Sequence, residues 1–126
     1  MKKILLDTSV VIDFLRSRDK GSTLLYKLST EDLYISIISH TELFAGKSIW
    51  ETKEIRDKVV AFFTGLTILP LSEDISEKAG FIRAYQQKNS LIDSIIAATA
   101  IINQYELATL NKKDFEKIEG ISLSSL

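Results

Sequence analysis

The sequence predicts an α/β fold in which helices cover both faces of a central parallel sheet, giving three layers. Short apolar segments alternate along the chain with segments of helical periodicity, the pattern of strand–helix–strand units. The chain has 126 residues and is 45% hydrophobic, enough for one domain with a real core. The chain has only five glycines and one proline, so no segment has the composition of a flexible linker. We therefore predict a single domain spanning residues 1–126.

The strands of this sheet are predicted from short β-branched and apolar runs bounded by polar residues. Four runs are clear and a fifth is short: residues 3–6, 33–38, 67–71, 107–110 and 121–123. Pro70 cannot donate a ladder hydrogen bond, so the third strand is expected at an edge or to end there. The result is a sheet of about five strands.

Helices are predicted between these strands from capping residues followed by apolar periodicity. Thr8 or Ser9 caps the first, Ser22 or Thr23 the second, Ser39 the third and Ser72 the fifth. The predicted spans are residues 10–16, a short helix ending at 28, 39–46, 50–64, 72–87 and 91–104, with a turn at 88–90 before the last.

Composition excludes several classes of protein and site. The absence of cysteine rules out a disulfide scaffold and a thiolate metal site, and one histidine, His40, cannot build a histidine-rich site. A net charge of −1 provides no global positive field for nucleic acid. Asp7 interrupts the N-terminal apolar run too early for a signal peptide, and no run is long enough for a membrane span. We expect a soluble cytoplasmic protein.

Four carboxylates stand beside core-forming segments: Asp7, Glu42, Asp93 and Asp114. Asp7 ends the first strand, Glu42 follows the second and Asp114 follows the fourth. In parallel sheets ligands bind beyond the carboxyl ends of the strands, so three acids are expected at one edge. Asp93 begins an otherwise apolar helix, and the alanines that follow it at helical spacing allow close approach to the sheet. Buried like charges are costly unless a cation lies between them, which indicates a hard metal ion.

Each acid also has a structural explanation. Ser39 with Glu42, and Ser90 with Asp93, match capping boxes, in which an acid reaches back to the helix start. Asp7 alone could cap the helix that follows it, and Asp114 alone could be a solvated loop residue. Those explanations do not account for four acids at one predicted edge, and a capped acid is also a well-positioned ligand.

Four motifs in this order resemble the PIN-domain ribonucleases of the VapC type, the toxin half of a type II toxin–antitoxin pair. They are LDTSVVID at residues 6–13, SHTEL at 39–43, DSIIAATA at 93–100 and LATLNKKDF at 107–115. The resemblance spans essentially the whole chain. Two positions depart from the family pattern: Leu110 stands where VapC proteins often have arginine, and the turn at 89–90 lacks the usual glycine.

The resemblance implies a PIN-like α/β/α sandwich that cleaves RNA endonucleolytically with Mg²⁺, or with Mn²⁺ in its place. It also implies a small VapB-like antitoxin as partner, and a homodimer is expected. Asp7, Glu42, Asp93 and Asp114 then form the acidic quartet that holds the metal. Ser9, Asn111 and Thr8 are expected to support the acids or to contact substrate.

The mechanism that fits is metal-assisted hydrolysis of a phosphodiester bond. Asp7 and Asp93 would share one or two ions, Asp114 would complete the second position, and Glu42 would orient or deprotonate the attacking water. An exposed aromatic surface, formed by Trp50, Phe44, Phe62 and Phe63, is expected to receive the antitoxin or a second subunit.

Two other functions remain open on the same residues. One is a PIN-fold RNA-processing enzyme or a non-cleaving RNA-binding or regulatory module, which metal-dependent turnover distinguishes. The other is a phospho-receiver domain, which would need an aspartate at the end of the third strand. Leu69, Pro70 and Leu71 occupy that position, which argues against a receiver.

Overall fold

A computed structural model describes residues 1–86 and 89–126 of the chain. Four parallel strands form one sheet in the order β3-β2-β1-β4, so β1 lies inside the sheet and β3 at one edge. The strands are β1 (Lys3–Leu6), β2 (Asp32–Ser36), β3 (Thr67–Leu69) and β4 (Glu106–Ala108). Leu107 adds a single parallel bridge to Leu123, which is all that forms of the predicted fifth strand.

Eight α-helices follow these strands in the described part of the chain, with a short 3₁₀ turn at Lys20–Ser22. They are α1 (Thr8–Arg16), α2 (Leu24–Lys27), α3 (Ile37–Phe44), α4 (Lys47–Glu51), α5 (Lys53–Phe63), α6 (Glu73–Tyr85), α7 (Leu91–Asn103) and α8 (Lys112–Phe115). Helix α8 lies in the closing motif, where no helix was predicted.

The sheet separates two hydrophobic cores because successive side chains of a strand point to opposite faces. Ile4 and Leu6 pack into one core with residues of α1 to α5. Leu5, between them in sequence, packs into the other core with residues of α6 and α7 and with Phe115 of α8. The predicted three-layer α/β/α sandwich is therefore confirmed.

The register of β1 brings the ends of three strands to one edge. Leu6 is opposite Ile35 of β2 on one side and Ala108 of β4 on the other. The next residue, Asp7, continues the ladder by donating its backbone N–H to the carbonyl oxygen of Ala108 at 2.9 Å. Residues that follow β1, β2 and β4 are thus neighbours in space.

The start of α3 differs from the prediction. Residues 37 and 38 were predicted to end the second strand, but they form the first turn of α3, and Ser36 is the N-cap through its hydroxyl, which accepts the N–H of Ile38 at 3.1 Å. Ser39 is therefore inside the helix, and the proposed capping box between Ser39 and Glu42 is wrong. The two β-branched isoleucines resemble a strand in sequence, but the hydroxyl cap ends the strand before them.

Two further helices differ from the prediction, one by a break within its span and the other at its end. The predicted helix over residues 50–64 is two helices, because Thr52 between α4 and α5 has extended backbone angles (φ −126°, ψ 104°). The predicted helix over residues 72–87 begins after its Ser72 cap as expected and ends at Tyr85. Its predicted last residue, Gln87, and Lys88 of the predicted turn lie outside the described residues.

No helix in residues 1–86 and 89–126 combines the length and the apolar character that crossing a membrane requires.

A matched pair of leucines tests the two-core architecture. Leu107 of β4 is fully buried, whereas Leu110, three residues later, is 50% exposed. We expect Leu107→Ala to lower the free energy of unfolding by about 2–5 kcal/mol, because it leaves a cavity between sheet and helices. Leu110→Ala should change it by less than about 1 kcal/mol. Chemical denaturation measures both, and equal losses would contradict the described burial of β4.

Candidate active site at the carboxyl edge of the sheet

Asp7 is the centre of the hydrogen-bonding network at this edge. It is only 4% exposed, and it is the N-cap of α1, with Oδ1 accepting the N–H of Thr8 at 2.9 Å. Oδ2 accepts two hydroxyl groups, Ser9 Oγ at 2.8 Å and Thr109 Oγ1 at 2.7 Å. The expected cap at Thr8 or Ser9 is therefore provided by Asp7 itself. Three donors fix both carboxylate oxygens in one orientation.

The same two hydroxyl groups hold the segment after β4. Ser9 Oγ accepts the N–H of Leu110 at 3.2 Å, and Thr109 Oγ1 accepts the N–H of Asn111 at 3.0 Å. Each hydroxyl uses its single proton on Asp7 and its lone pairs on the backbone. The segment that leads to Asp114 is in this way fastened to Asp7.

Glu42 reaches the site from the second turn of α3 through the hydroxyl of Thr8. Thr8 Oγ1 lies 2.6 Å from Glu42 Oε1 and 2.8 Å from the fully buried Ser39 Oγ. A carboxylate only accepts, and a hydroxyl has one proton. Thr8 therefore donates to Glu42 and accepts from Ser39, and this chain of hydroxyls fixes the glutamate beside α1.

Asp93 lies in the first turn of α7, where Ser90 is the N-cap and accepts the Asp93 N–H at 3.0 Å. Its half-buried carboxyl has a raised pKa, chiefly because burial penalises its charge and next because of the charge of Asp7. A hydrogen bond with Ser90 acts in the opposite direction, while the charges of Asp114 and Glu42 add smaller increases. The other three predicted acids thus each act electrostatically on Asp93 at this edge.

Asp114 is exposed on α8, and its backbone is held in place from two sides. Its N–H donates to the carbonyl of Asn111 at 3.0 Å, and its own carbonyl accepts the side-chain amide of the buried Asn89. Asn111 contributes its backbone, and its side chain makes no capping bond to α8. The loop before α7 and the segment after β4 are therefore joined beside the acids.

The four acids are near one another without forming a closed cage. Within residues 1–86 and 89–126, no three Asp, Glu or His side chains are close enough to share one ion. The ion pairs recorded for that part of the chain all lie elsewhere. Mg²⁺ is usually bound by one or two carboxylates and keeps several waters, so a pair such as Asp7 and Asp93 suits it. The donor set, which is all oxygen, fits Mg²⁺ or Mn²⁺.

Three polar residues at this edge were not identified from the sequence as part of the site: Thr109, Ser39 and Asn89. Thr109 directly follows β4, so its position one residue past a strand end was a usable signal. Ser39 was assigned to a cap because the start of α3 was misplaced. Asn89 gives no local signal, since its partner lies 25 residues away.

Comparison with known proteins identifies the family of the chain. The PIN domain family model matches residues 4–121. Ribonuclease VapC1 of Rickettsia felis is 36% identical over 128 residues, covering 95% of this chain and 93% of that protein. Ribonuclease VapC1 of Methanocaldococcus jannaschii is 35% identical over 127 residues, covering 96% and 85%.

Solved structures show the same fold. A toxin–antitoxin complex from Klebsiella pneumoniae contains a chain with a TM-score of 0.76 and 28% identity, with 94% of each chain covered. DNA-bound VapBC from Salmonella typhimurium matches with a TM-score of 0.84 and 22% identity, with 98% of each chain covered. The resemblance inferred from the four motifs is confirmed: the chain belongs to the PIN-domain family and, within it, to the VapC ribonucleases.

Proposed function

We propose that this protein is a metal-dependent endoribonuclease and the toxin of a VapBC-type toxin–antitoxin pair. One observation carries the proposal: a buried, triply hydrogen-bonded Asp7 lies at the same sheet edge as Asp93, whose pKa is raised first by its own burial and next by the charge of Asp7. No lysine or arginine in the described part of the chain pairs with either acid. Such uncompensated charge is what a divalent cation would neutralise. The names of the VapC relatives support RNA as the substrate.

Each of the four acids would have its own role in phosphodiester hydrolysis. Asp7 and Asp93 would hold Mg²⁺ or Mn²⁺, with Asp114 able to complete or tune a second position. The ion would supply a bound water of lowered pKa and positive charge for the phosphate oxygens. Glu42 is fixed by Thr8 through Oε1, so Oε2 is the oxygen that would orient or deprotonate the attacking water.

The antitoxin is proposed to bind along a groove between α1, α4 and α5. This groove has a volume of about 850 Å³ and an apolar lining that includes Ile12, Ile55 and Phe62, and Glu42 lies on it. Arg16, Lys20 and Lys58 are basic residues of its wall. An amphipathic helix with apolar anchors and acidic flanks fits such a surface. A VapB-like antitoxin is the expected partner, as the complexes of related structures suggest.

The aromatic surface expected from the sequence is only partly available. Phe62 lines the groove, and Trp50 is exposed, with its indole N–H donating to the carbonyl of Phe44 at 2.7 Å. Phe63 is buried in the core, where it packs against Phe44, and it offers nothing to a partner. Homodimerisation and a cytoplasmic location remain proposals.

Substitution of the two central acids tests the nuclease. We expect Asp7→Asn and Asp93→Asn each to lower the rate of RNA cleavage in Mg²⁺ by at least about a hundredfold, since metal-ion stabilisation is worth several kcal/mol. The measurement is cleavage of total or synthetic RNA by the purified chain. Asp57→Asn, on the outer surface of α5 and paired there with Lys53, is the matched control and should cleave normally. Cleavage that persists without metal and in both site variants would contradict the mechanism.

Thermal melting tests the metal site independently of activity. With metal about 100-fold above its Kd, Mg²⁺ or Mn²⁺ should raise the melting temperature of the wild type by about 5–10 °C. Asp7→Asn and Asp93→Asn should show much smaller shifts. An unchanged melting temperature of the wild type at millimolar metal would argue against a metal site at the acids.

The pH dependence of the metal-free protein follows from the raised pKa of Asp93. The folded state binds this proton more tightly than the unfolded state, so the stabilising effect is complete below the ordinary carboxyl pKa and is lost as pH rises through the raised value. In EDTA, Asp93→Asn should therefore be more stable than the wild type at pH 7, and this advantage should shrink toward pH 4. Melting curves across this range measure it, and an advantage that grows on acidification would contradict the assignment.

A pair of substitutions on α5 tests the groove. Ile55 lines it and is 42% exposed, whereas Val60 on the same helix is 51% exposed and does not line it. We expect Ile55→Asp to weaken binding of the antitoxin encoded in the neighbouring reading frame by about tenfold or more, because the charge must be desolvated in an apolar contact. Val60→Asp should bind normally. Equal affinities of both variants, measured by calorimetry, would remove the groove from the proposal.

A further inference from the structure

A second cavity opens beside Asp114 and shares no lining residue with the groove. It has a volume of about 490 Å³ and lies between the end of α6 and helix α8. Tyr85 and Gln86 line it on the α6 side, and Lys113, Asp114 and Lys117 line it on the α8 side. The volume is within the range of pockets that bind small organic ligands, about 300–1,000 Å³.

The cavity is built on fixed parts of the chain. Asn89 and Ile118, which also line it, are both buried. Gln86 Nε2 donates to the carbonyl of Lys117 at 3.0 Å, and the Asn89 amide donates to the carbonyl of Asp114. These two bonds connect the end of α6 and the start of the α7 loop to the α8 segment. These hydrogen bonds therefore fix the backbone positions from which the lining side chains project.

The lining has the chemistry that binds a nucleotide. Tyr85 is 77% exposed, and its ring packs against that of Phe81 with the centroids 4.8 Å apart, so most of its surface is open to a ligand. Lys113 and Lys117 are exposed and four residues apart, and they are in none of the ion pairs recorded for the described residues. An aromatic face with nearby cations is the combination by which proteins hold single-stranded nucleic acid, through base stacking and phosphate contacts.

Asp114 connects this cavity to the acid cluster. Its side chain lines the cavity, and its charge also acts on Asp93. The cavity therefore adjoins the acids, where a nucleotide next to a scissile phosphate would lie. The chain as a whole has a net charge of −1, so local cations next to an acidic centre have a specific use in attracting a polyanion.

We propose that this cavity is the subsite for an RNA nucleotide that flanks the cleaved bond, with Tyr85 stacking on the base and Lys113 and Lys117 binding phosphates. The inference rests on the proposed nuclease function and extends it to substrate binding. Specific recognition of RNA usually involves unpaired bases, so the ligand is single-stranded RNA.

Binding of a short fluorescein-labelled single-stranded RNA, measured by anisotropy in an Asp93→Asn background that does not cleave, tests the subsite. Tyr85→Ala should weaken binding about tenfold, as loss of one stacked base does, and Tyr85→Phe should restore it. Lys113→Ala and Lys117→Ala should each weaken binding and each reduce the slope of log K against log salt by about 0.7, the value for one phosphate contact in a single strand.

Matched controls lie on α2, which precedes β2 and so faces the opposite edge of the sheet. Tyr26 is an exposed tyrosine and Lys27 an exposed lysine there, and Tyr26→Ala and Lys27→Ala should bind RNA normally. If the wild type cleaves RNA but the Tyr85 and lysine variants bind as tightly and with the same salt slope as the parent, the subsite is wrong and the nuclease stands. If the wild type does not cleave with Mg²⁺ or Mn²⁺, the nuclease itself is contradicted. The subsite would also be overturned if the Tyr85 and lysine variants lost antitoxin binding while their RNA binding stayed unchanged.

Discussion

Asp7 lies where β1 ends and α1 begins, and three hydrogen bonds converge on its buried carboxylate. One comes from the backbone of the helix it caps and two from hydroxyls that also hold residues 110 and 111. The orientation of α1 and the course of the segment leading to Asp114 are therefore coupled through a single side chain. A carboxylate accepts all three donors without donating in return, so the side chain that holds the loop also fixes two acceptor oxygens at the centre of the site.

Among the neighbouring acids, Asp93 shows the effect of this crowded edge. Its pKa is raised chiefly because burial penalises the charged form, and next because of the charge of Asp7. The two hydrophobic cores on either side of the sheet stabilise the fold, whereas the raised pKa of Asp93 means that its ionised form destabilises it. Such a division, with a stable scaffold carrying a destabilised site, is the expected form of a trade-off between stability and function.

The sequence predicts the parts of this site that depend on strand order. It does not predict features that are determined by contacts between distant residues. Asp7 and Asp93 were placed from a strand end and a helix start, both of which local pattern reveals. The start of α3 was misplaced because Ile37 and Ile38 suit a strand as well as a helix, and only the Ser36 cap separates the two. No hydrophobic periodicity or local motif marks the break at Thr52 or the hydrogen bond from Asn89 to Asp114, so neither could be predicted.

The acids line two openings of different chemistry, and if both proposals hold, this arrangement would separate antitoxin binding from substrate binding. Glu42 lines the apolar groove beside α1 and α5, whereas Asp114 lines the tyrosine–lysine cavity beside α8. A partner helix in the groove would reach the acids from the Glu42 side without filling the proposed nucleotide subsite. Substitutions that change which RNA is bound would then leave antitoxin affinity unaffected, and the reverse would also hold. The acid cluster, which contributes Glu42 to one opening and Asp114 to the other, is where both proposed functions would constrain the sequence together.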